Sequence, residues 1–175
     1  MIPKPAFLVG PRLLLRDFVL EDWPAVHSYT ADREVLRFLE WNPDTIVRSR
    51  GFVEKAITEA AASPRVQFKL AMVLQVNGEL IGDCGLKIVE PKRRHARLGY
   101  IVNRSYWGHG YATEAARLLL QFGFRELGLY KISAGCDLRN AASIRVLEKI
   151  GMTREALFPS TAVYSILEKD FLVTA

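Results

Sequence analysis

Two glycines in the second half of the chain have the type and spacing that suit anion binding. Gly108 and Gly110 lie between a predicted strand and a predicted helix, in the run from Tyr106 to Ala115. Glycine lets the backbone bend with its N–H groups exposed, and the following helix adds unpaired N–H groups and the positive end of its dipole. Such a junction most often binds phosphate, although a turn that needs glycine for geometry alone explains the same residues equally well.

The surrounding residues exclude the two best-known nucleotide-binding loops. A Walker A loop requires a lysine directly after its last glycine, and here Tyr111 follows Gly110. A dinucleotide-binding fingerprint requires a third small residue where Thr113 stands, and it belongs to a βαβ unit rather than to the antiparallel strands predicted here. The loop is therefore either an anion site of another kind or a turn that needs glycine for geometry alone.

A second candidate group lies where a later helix begins. Asn140 precedes a helix that Gly151 closes, and asparagine is among the best helix N-caps. Ser143 lies one turn into this helix, on the same side as Asn140. Arg145 and Lys149 are four residues apart and share a helix face, which is typical of a solvated surface.

Hydrophobic periodicity places these residues in a mixed α/β fold around one sheet, formed by a single domain over residues 1–175. Predicted strands cover residues 12–18, 66–76, 79–89, 97–102, 131–136 and 162–167, and predicted helices cover 21–29, 47–62, 111–127 and the segment from Asn140 to Gly151. Residues 66–76 alternate, which predicts a strand with one strongly apolar face, and residues 41–44 predict a loop. Asn77-Gly78 predicts a two-residue hairpin turn. Gly82 and Gly85 weaken their strand unless a bulge or a close backbone approach requires them.

The composition excludes several classes of protein. The chain has 175 residues and a net charge of +5, which is less basic than a dedicated nucleic-acid binder. It has no apolar run near the roughly 18 residues of a membrane span and no secretory signal, so we expect a cytoplasmic protein without membrane contact. Cys84 and Cys136 suit neither a disulfide scaffold nor a metal site, and His27, His95 and His109 are scattered, so we expect no metal.

Three blocks of sequence resemble one known family. They are Leu98–Val102 with Tyr106–Ala115, then Asn140–Met152, then Val163–Leu167, and the order and spacing of the first two make the match specific. From roughly Pro11 to Phe171 the chain resembles the GNAT superfamily of acyl-CoA-dependent N-acyltransferases, most closely its ribosomal-protein N-terminal acetyltransferase (Rim-type) branch. The resemblance implies acetyl-CoA as co-substrate. It also implies a mostly antiparallel central sheet, splayed at the strand before the glycine loop and flanked by helices.

The resemblance also assigns residues to the cofactor. The backbone N–H groups of residues 108–112 would hold the pyrophosphate of CoA, and the backbone of residues 100–102 would pair with the pantetheine arm. Asn140 would contact that arm, Ser143 would lie near the thioester sulfur, and the basic residues on the same helix would contact the CoA phosphates. The expected cofactor-binding residues are Tyr100, Ile101, Val102, Trp107, Gly108, His109, Gly110, Tyr111, Ala112, Thr113, Asn140, Ser143, Arg145 and Lys149.

The implied reaction is the attack of a neutral amine on the thioester, through a tetrahedral intermediate that expels CoA thiolate. It needs one group that takes a proton from the amine and another that protonates the thiolate. Ser143 is the candidate acid or thiolate partner, and Asp83 or Glu79 is the candidate base. Asp83 fits a solvent-facing strand residue better than a base, and Tyr164 fits the core better than a catalytic role.

Three features depart from the pattern of the resembled family. Arg97 stands where many relatives have an acidic residue, and Leu147 stands where much of the superfamily has a tyrosine acid. The region 153–161 looks short for the usual late hairpin. These departures favour a non-catalytic acyl-CoA-binding or regulatory protein as the alternative to an enzyme.

The acceptor is expected to be a primary amine. At pH 7 about a tenth of an α-amine is neutral, whereas a lysine side chain is neutral less than ~0.1% of the time. An α-amine therefore demands less from a general base, and the resemblance implies a protein N-terminal α-amine of the ribosomal-protein type, with a small molecule such as a polyamine or an aminoglycoside as the alternative. The basic cluster of Lys92, Arg93, Arg94 and Arg97 is either a solvated loop or a contact with the ribosome or RNA. The protein is expected to be a monomer or a homodimer.

Overall fold

A computed structural model of the chain describes residues 7–39 and 45–174. The strands are β1 (Phe7–Val9), β2 (Leu13–Arg16), β3 (Gln67–Leu74), β4 (Leu80–Glu90), β5 (His95–Val102), β6 (Lys131–Asp137), β7 (Thr153–Leu157) and β8 (Thr161–Leu167). The α-helices are α1 (Trp23–Thr30), α2 (Arg33–Leu36), α3 (Ile46–Ala61), α4 (Tyr111–Gln121), α5 (Ala141–Lys149) and α6 (Glu168–Thr174). Short 3₁₀ segments lie at Leu20–Asp22, Pro91–Arg93 and Arg104–Tyr106, and a π-helical turn, Phe122–Glu126, follows α4.

The strands form one sheet that opens in its middle. Their order is β1-β2-β3-β4-β5-β6-β8-β7, and every neighbouring pair is antiparallel except β5 and β6. These two parallel strands are in register only from His95–Lys131 to Arg97–Ser133, and beyond that point they diverge. The gap between β5 and β6 is the splay that the family resemblance implies, so the mixed α/β fold is confirmed.

Two layers of helices cover the two faces of the sheet. Helices α4 and α5 pack on one face, over the main core, which includes Phe68, Leu86 and Leu119. Helices α1 and α3 pack on the other face, over a smaller core that includes Tyr29 and Val53. The second layer covers β3 and β4, which places the gap beside the edge of that layer.

Strand β3 is buried on both faces, which differs from the single apolar face predicted for residues 66–76. Its larger side chains, such as Leu70, belong to the main core, whereas Ala71 and Val73 belong to the smaller core. Val66 and Val76 lie outside the strand and are exposed. The predicted strand and its strongly apolar face are confirmed, whereas the local pattern cannot show that α1 and α3 also cover the second face.

The turn between β3 and β4 is longer than predicted. The N–H of Leu74 donates to the carbonyl of Glu79, so residues 75–78 form the turn rather than Asn77-Gly78 alone. The N–H of Gln75 donates instead to the carbonyl of Arg12. Gly78 has a φ of 74°, a backbone conformation that favours glycine.

A bulge and a close backbone approach were the two explanations for the glycines of β4, and the structure shows a close approach at both. A Cβ atom on Gly82 would lie 2.2 Å from the carbonyl oxygen of Ile101. A Cβ atom on Gly85 would lie 2.3 Å from the carbonyl oxygen of Phe68. The neighbouring strands therefore leave no room for a side chain at either position.

Several elements differ from the sequence pattern. The helix predicted over residues 111–127 divides into α4 and the π-helical turn. The region 153–161 contains β7, which pairs with β8, so a compact late hairpin is present where the sequence showed only a short segment. The loop predicted for residues 41–44 lies outside the described residues. Within the described ranges, no helix is long and apolar enough to cross a membrane.

Candidate active site

The glycine loop leads into α4 with its backbone open to the surroundings. Gly108 and Gly110 both have a φ of 81°, and Gly110 is the N-cap of α4. A Cβ on Gly108 would meet nothing within 4 Å, and a Cβ on Gly110 would come no closer than 3.7 Å to Nη2 of Arg12. The positive φ values explain the glycines, and the free space above them leaves room for an anion at the helix N-terminus.

Arg12 and Glu114 hold this loop against the turn between β1 and β2. Nη1 of Arg12 donates to the carbonyl of His109 at 2.9 Å, and its guanidinium lies 4.6 Å from the ring centroid of Tyr111. Glu114 accepts from the backbone N–H groups of Arg12 and Leu13 and from Nε of Arg12. The sequence analysis missed this clamp, because about 100 residues separate its partners.

The strand edge beside the gap faces away from β4. The N–H of Asn103 donates to the carbonyl of Ile81, and backbone groups alternate along a strand. The N–H and C=O groups of Tyr100 and Val102 therefore point toward the gap, whereas those of Ile101 point toward β4. An extended ligand could pair with this edge as an added strand.

One group on this edge already has a partner. The indole N–H of Trp107 donates to the carbonyl of Val102 at 2.7 Å. The other loop side chains pack beside α4, where the rings of His109 and Tyr111 stack with centroids 5.8 Å apart. Ala112 and Thr113 lie in the first turn of α4.

The start of α5 faces Tyr100 across the gap. Asn140 caps the helix, because its side-chain oxygen accepts from the N–H of Ser143 at 3.0 Å. The hydroxyl groups of Ser143 and Tyr100 are 2.8 Å apart. Burial raises the pKa of Tyr100 to about 12, although the hydrogen bond from Ser143 works against this shift. Burial also raises the pKa of the Cys136 thiol, which extends from β6 and lies beside Ser143 of α5.

Known proteins resemble the chain over most of its length. The family model described as an Acetyltransferase (GNAT) domain matches residues 12–153. The chain belongs to the GNAT family of acetyltransferases. This GNAT protein is 35% identical over 170 residues to the Uncharacterized N-acetyltransferase YnaD of Bacillus subtilis, which covers 91% of this chain and 96% of that protein.

Two further comparisons place the chain among N-acetyltransferases. It is 29% identical over 142 residues to Spermidine N(1)-acetyltransferase of Escherichia coli K12, with 81% of this chain and 73% of that protein covered. A crystal structure of a GNAT-family acetyltransferase from Bacillus anthracis superposes with a TM-score of 0.82 at 32% identity, covering 93% of this chain and 99% of that one. The GNAT chain is therefore an acetyl-CoA-dependent N-acetyltransferase, which confirms the predicted enzyme class and co-substrate.

Within this GNAT fold, Asp83 is buried rather than solvent-facing. It is 1% exposed, and its carboxylate accepts from Nζ of Lys69 at 2.8 Å and from the hydroxyl of Tyr29 at 2.9 Å. Burial lowers the pKa of Lys69, but the charge of Asp83, its hydrogen bond to Lys69 and weaker contributions from other groups together outweigh that effect and raise the pKa overall. The solvent-facing interpretation is wrong, because α1 covers this part of β4. Both carboxylate oxygens are occupied, so the geometry gives no support to a direct base at Asp83.

The other candidates of the GNAT resemblance are more dispersed. Glu79 lies in the β3–β4 turn, where it binds Asn77. Leu147 and Tyr164 are buried in the main core, as predicted for Tyr164. Arg145 and Lys149 are exposed on α5. Among the described residues, no group of three or more potential metal ligands is close enough to hold an ion.

The basic cluster of this GNAT protein surrounds a surface cavity. The cavity has a volume of about 430 Å³ and is lined by Glu90, Lys92, Arg93, Arg94, His95, Tyr130 and Lys131. Tyr130 is 46% exposed, so an aromatic ring accompanies the cations. The sequence showed no aromatic residue in this cluster, because Tyr130 arrives from the loop before β6. Arg97 is exposed on β5, nearer the gap.

Proposed function

We propose that the glycine loop and the open edge of β5 bind acetyl-CoA in extended form. The backbone N–H groups of residues 108–112, with Arg12 beside them, would hold the pyrophosphate. The edge at Tyr100 and Val102 would pair with the amide groups of the pantetheine arm. The open space above Gly108 and Gly110 is the observation that carries this proposal, because it leaves the helix N-terminus accessible. Arg145 and Lys149 would contact the phosphates from α5.

Ser143 and Tyr100 would serve the leaving group. The reaction expels CoA thiolate, which an oriented hydroxyl donor stabilises and a nearby acid protonates. Ser143 and Tyr100 flank the gap and share a hydrogen bond, so one hydroxyl can donate to sulfur while the other supports it. Because its raised pKa keeps Tyr100 protonated at neutral pH, the phenol is available as a donor.

The acceptor is proposed to be an α-amine, as at a protein N-terminus of the ribosomal-protein type. Among the described residues, three carboxylates on the strands around β5 and β6 already hold cations of the protein: Asp83 holds Lys69, Asp137 holds Arg139, and Glu155 holds Lys131. A polyamine carries further ammonium groups that need carboxylate partners. An α-amine acceptor asks for only one neutral nitrogen, and Arg97 at the gap would disfavour additional positive charge.

A thiol-release assay with acetyl-CoA tests the acceptor class. The panel contains peptides with free N-termini, the same peptides with acetylated N-termini, spermidine, spermine and an aminoglycoside. We expect turnover with the free peptides and at least about tenfold lower kcat/KM with spermidine, which corresponds to about 1.4 kcal/mol. Preferred turnover of spermidine would contradict the α-amine proposal and favour the activity named for the Escherichia coli relative.

The basic cluster is proposed as a contact with ribosomal RNA near the substrate. Lys92, Arg93 and Arg94 supply charge for phosphates, and Tyr130 supplies a ring on which a base can stack. Binding of single-stranded RNA is expected to weaken steeply with salt and to be lost when Lys92 and Arg93 are changed to glutamine. RNA binding that keeps its affinity in this variant would contradict the contact.

A further inference from the structure

Three side chains at the closed end of the gap form a chain of hydrogen bonds. Oε1 of Glu90 lies 3.2 Å from Nδ1 of His95, and Nε2 of His95 lies 2.8 Å from Oγ of Ser133. When Nδ1 carries the proton and donates to Glu90, Nε2 accepts from the hydroxyl of Ser133. The oxygen of Ser133 then keeps lone pairs that can accept a further proton. In this arrangement a carboxylate orients a histidine, and the histidine can take the proton of a serine hydroxyl.

Ser133 stands at the point where β5 and β6 separate. It is the last residue of β6 in register with β5, where it lies opposite Arg97. From Leu98 onward, β5 leaves β6, and the space between them opens. Ser133 is 4% exposed, so its hydroxyl is shielded from bulk water although it lies at the base of that opening.

The side chains of Tyr100 and Ser133, which both border the gap, lie on opposite faces of the sheet. Tyr100 packs against the main core under α4 and α5, where Ser143 meets it. Because side chains alternate along a strand, His95 lies on the other face of β5, and it meets Ser133 there. A thioester held in the gap would have Tyr100 and Ser143 on the side of one face and Ser133 on the other. An amine that approaches the thioester carbon from the side away from Tyr100 and Ser143 would therefore meet Ser133.

The relay also contacts solvent. His95 and Glu90 both line the cavity of about 430 Å³ at the basic cluster, on the side of His95 away from Ser133. The side chain of His95 is 16% exposed, so one part of the ring reaches this cavity. Water in this cavity can therefore solvate the imidazolium that forms when a proton arrives from Ser133.

We propose that Ser133, His95 and Glu90 accept the proton of the attacking amine, an inference that rests on the proposed acetyl transfer to an amine. The amine nitrogen bonds to the thioester carbon, and the carbon–sulfur bond breaks with its electron pair going to sulfur. The amine proton moves to Oγ of Ser133 as the Ser133 proton moves to Nε2 of His95. Glu90 stabilises the resulting imidazolium, which keeps its Nδ1 proton and, after the products leave, returns the Nε2 proton through Ser133 to water in the gap. Ser133 is the catalytic residue, and His95 and Glu90 are positioning residues that act through it.

Charged and titratable groups on every neighbouring element surround His95, so a test must leave them unchanged. They are Glu90 on β4, Lys92, Arg93 and Arg94 in the connection, Arg97 on β5, Tyr130 and Lys131 at β6, and Glu155 on β7. The substitution His95→Gln keeps a planar polar side chain and alters none of them. Its matched control is His27→Gln, because Nδ1 of His27 also lies 2.9 Å from a serine hydroxyl, that of Ser49.

The first experiment compares the full-length wild type, His95→Gln and His27→Gln across pH 5.5–9 with one peptide acceptor. We expect His95→Gln to lower kcat by about 10²-fold at pH 8, with the KM for acetyl-CoA little changed. The ratio of wild-type to variant kcat/KM should shrink toward one as the pH falls. The ratio should shrink because a histidine that is protonated on both nitrogens cannot accept another proton. Protonation of the acceptor amine affects wild type and variant equally, so it does not change the ratio. A ratio that is near one, or independent of pH, would overturn the relay.

Ser133→Ala is expected to show a similar loss of kcat. Ser165→Ala is its control, because Ser165 pairs with Ser133 in the next strand, farther from the gap. Equal losses in Ser133→Ala and Ser165→Ala would mean that Ser133 has only a structural effect, and would overturn its catalytic role.

A second measurement does not depend on turnover. Long-range ¹H–¹⁵N spectra of the imidazole nitrogens, recorded on the whole protein with and without acetyl-CoA, report which nitrogen of His95 carries the proton. The relay requires the tautomer with Nδ1 protonated, and a proton on Nε2 of neutral His95 would overturn it even if no amine were a substrate. If wild type fails to acetylate any amine while His95 has the required tautomer, the proposed function fails and the relay geometry stands.

Discussion

The phenol of Tyr100 forms a hydrogen bond with Ser143 beside the gap, and this bond predicts the effect of removing the phenol oxygen. We predict that Tyr100→Phe lowers kcat by roughly 10-fold to 100-fold, because the leaving thiolate loses an oriented donor, while the affinity for CoA changes little. Ser143→Ala should act in the same direction. The double variant should lose less than the two single losses combined, since both hydroxyls belong to one hydrogen-bonded unit.

Steady-state kinetics of the three variants measures these losses, with Tyr130→Phe as the control for removal of an exposed tyrosine hydroxyl. Wild-type kcat in Tyr100→Phe would contradict the role in thiolate departure.

Single residues also show which roles can be predicted from the sequence and which cannot. Asn140 was recognisable as an N-cap, because capping depends on residues three positions apart. Asp83 was not recognisable as a buried ion-pair partner, because Lys69 lies on a different strand and Tyr29 on a helix far away in the chain. A carboxylate between two glycines looks solvent-facing until the helix above it is known.

At the level of elements, the glycine loop depends on a backbone conformation that a side chain strains. We predict that Gly110→Ala weakens CoA binding by at least about tenfold, because alanine at positive φ costs about 1–2 kcal/mol and shifts the N–H groups at the start of α4. The matched control is Gly78→Ala, since Gly78 has a φ of 74° in a turn away from the loop and a Cβ there meets nothing within 4 Å. Calorimetric titration with CoA should show a loss only in Gly110→Ala, and urea unfolding should show similar destabilisation of both. Equal CoA affinity in the two variants would contradict the assignment of the loop.

The sequence pattern was informative for elements with a strong local signal. The period-two alternation located β3, and the glycine loop located the start of α4. Strand β7 was missed because four of its five residues are exposed, so it shows no apolar alternation, and its pairing with β8 becomes visible only in the folded chain. The splay beside β5 was implied by the family resemblance and not by any residue pattern, and the parallel contact of β5 with β6 was not predicted, because three paired positions leave no signature.

The site as a whole is assembled from segments that no local pattern connects. Arg12 and Glu114 join the start of the chain to α4, and Glu90, His95 and Ser133 join three strands. Each of these contacts pairs residues that look like ordinary surface or strand residues in isolation. The proposed cofactor side of the site could therefore be predicted from the sequence through its glycines and its N-cap, whereas the proposed proton-handling groups required the arrangement of the sheet.

The whole molecule should lose stability in alkaline solution. Burial raises the pKa of Tyr100 to about 12 and raises that of Tyr29 and of the Cys84 thiol, and the nearby charge of Asp83 adds to the shift for Tyr29 and Cys84. In the unfolded chain these groups lose their protons near pH 8.5–10. Above that range the folded protein binds more protons than the unfolded chain, so the free energy of unfolding falls as the pH rises, whereas below about pH 8 these groups contribute their full stabilisation.

Urea unfolding at steps from pH 7.5 to pH 11 measures this loss of stability. Each of the three groups can contribute up to about 1.4 kcal/mol per pH unit where only its unfolded form is ionised. The variant Cys84→Ala removes the group with the lowest ordinary pKa of the three, so its stability should decline less steeply than that of wild type from about pH 9. Its stability at pH 7.5 corrects for the small cavity that the substitution leaves in the core. An unfolding free energy that is constant up to pH 11, or an identical decline in wild type and Cys84→Ala, would mean that these groups ionise within the folded protein. The core around Asp83 would then be open to hydroxide without global unfolding.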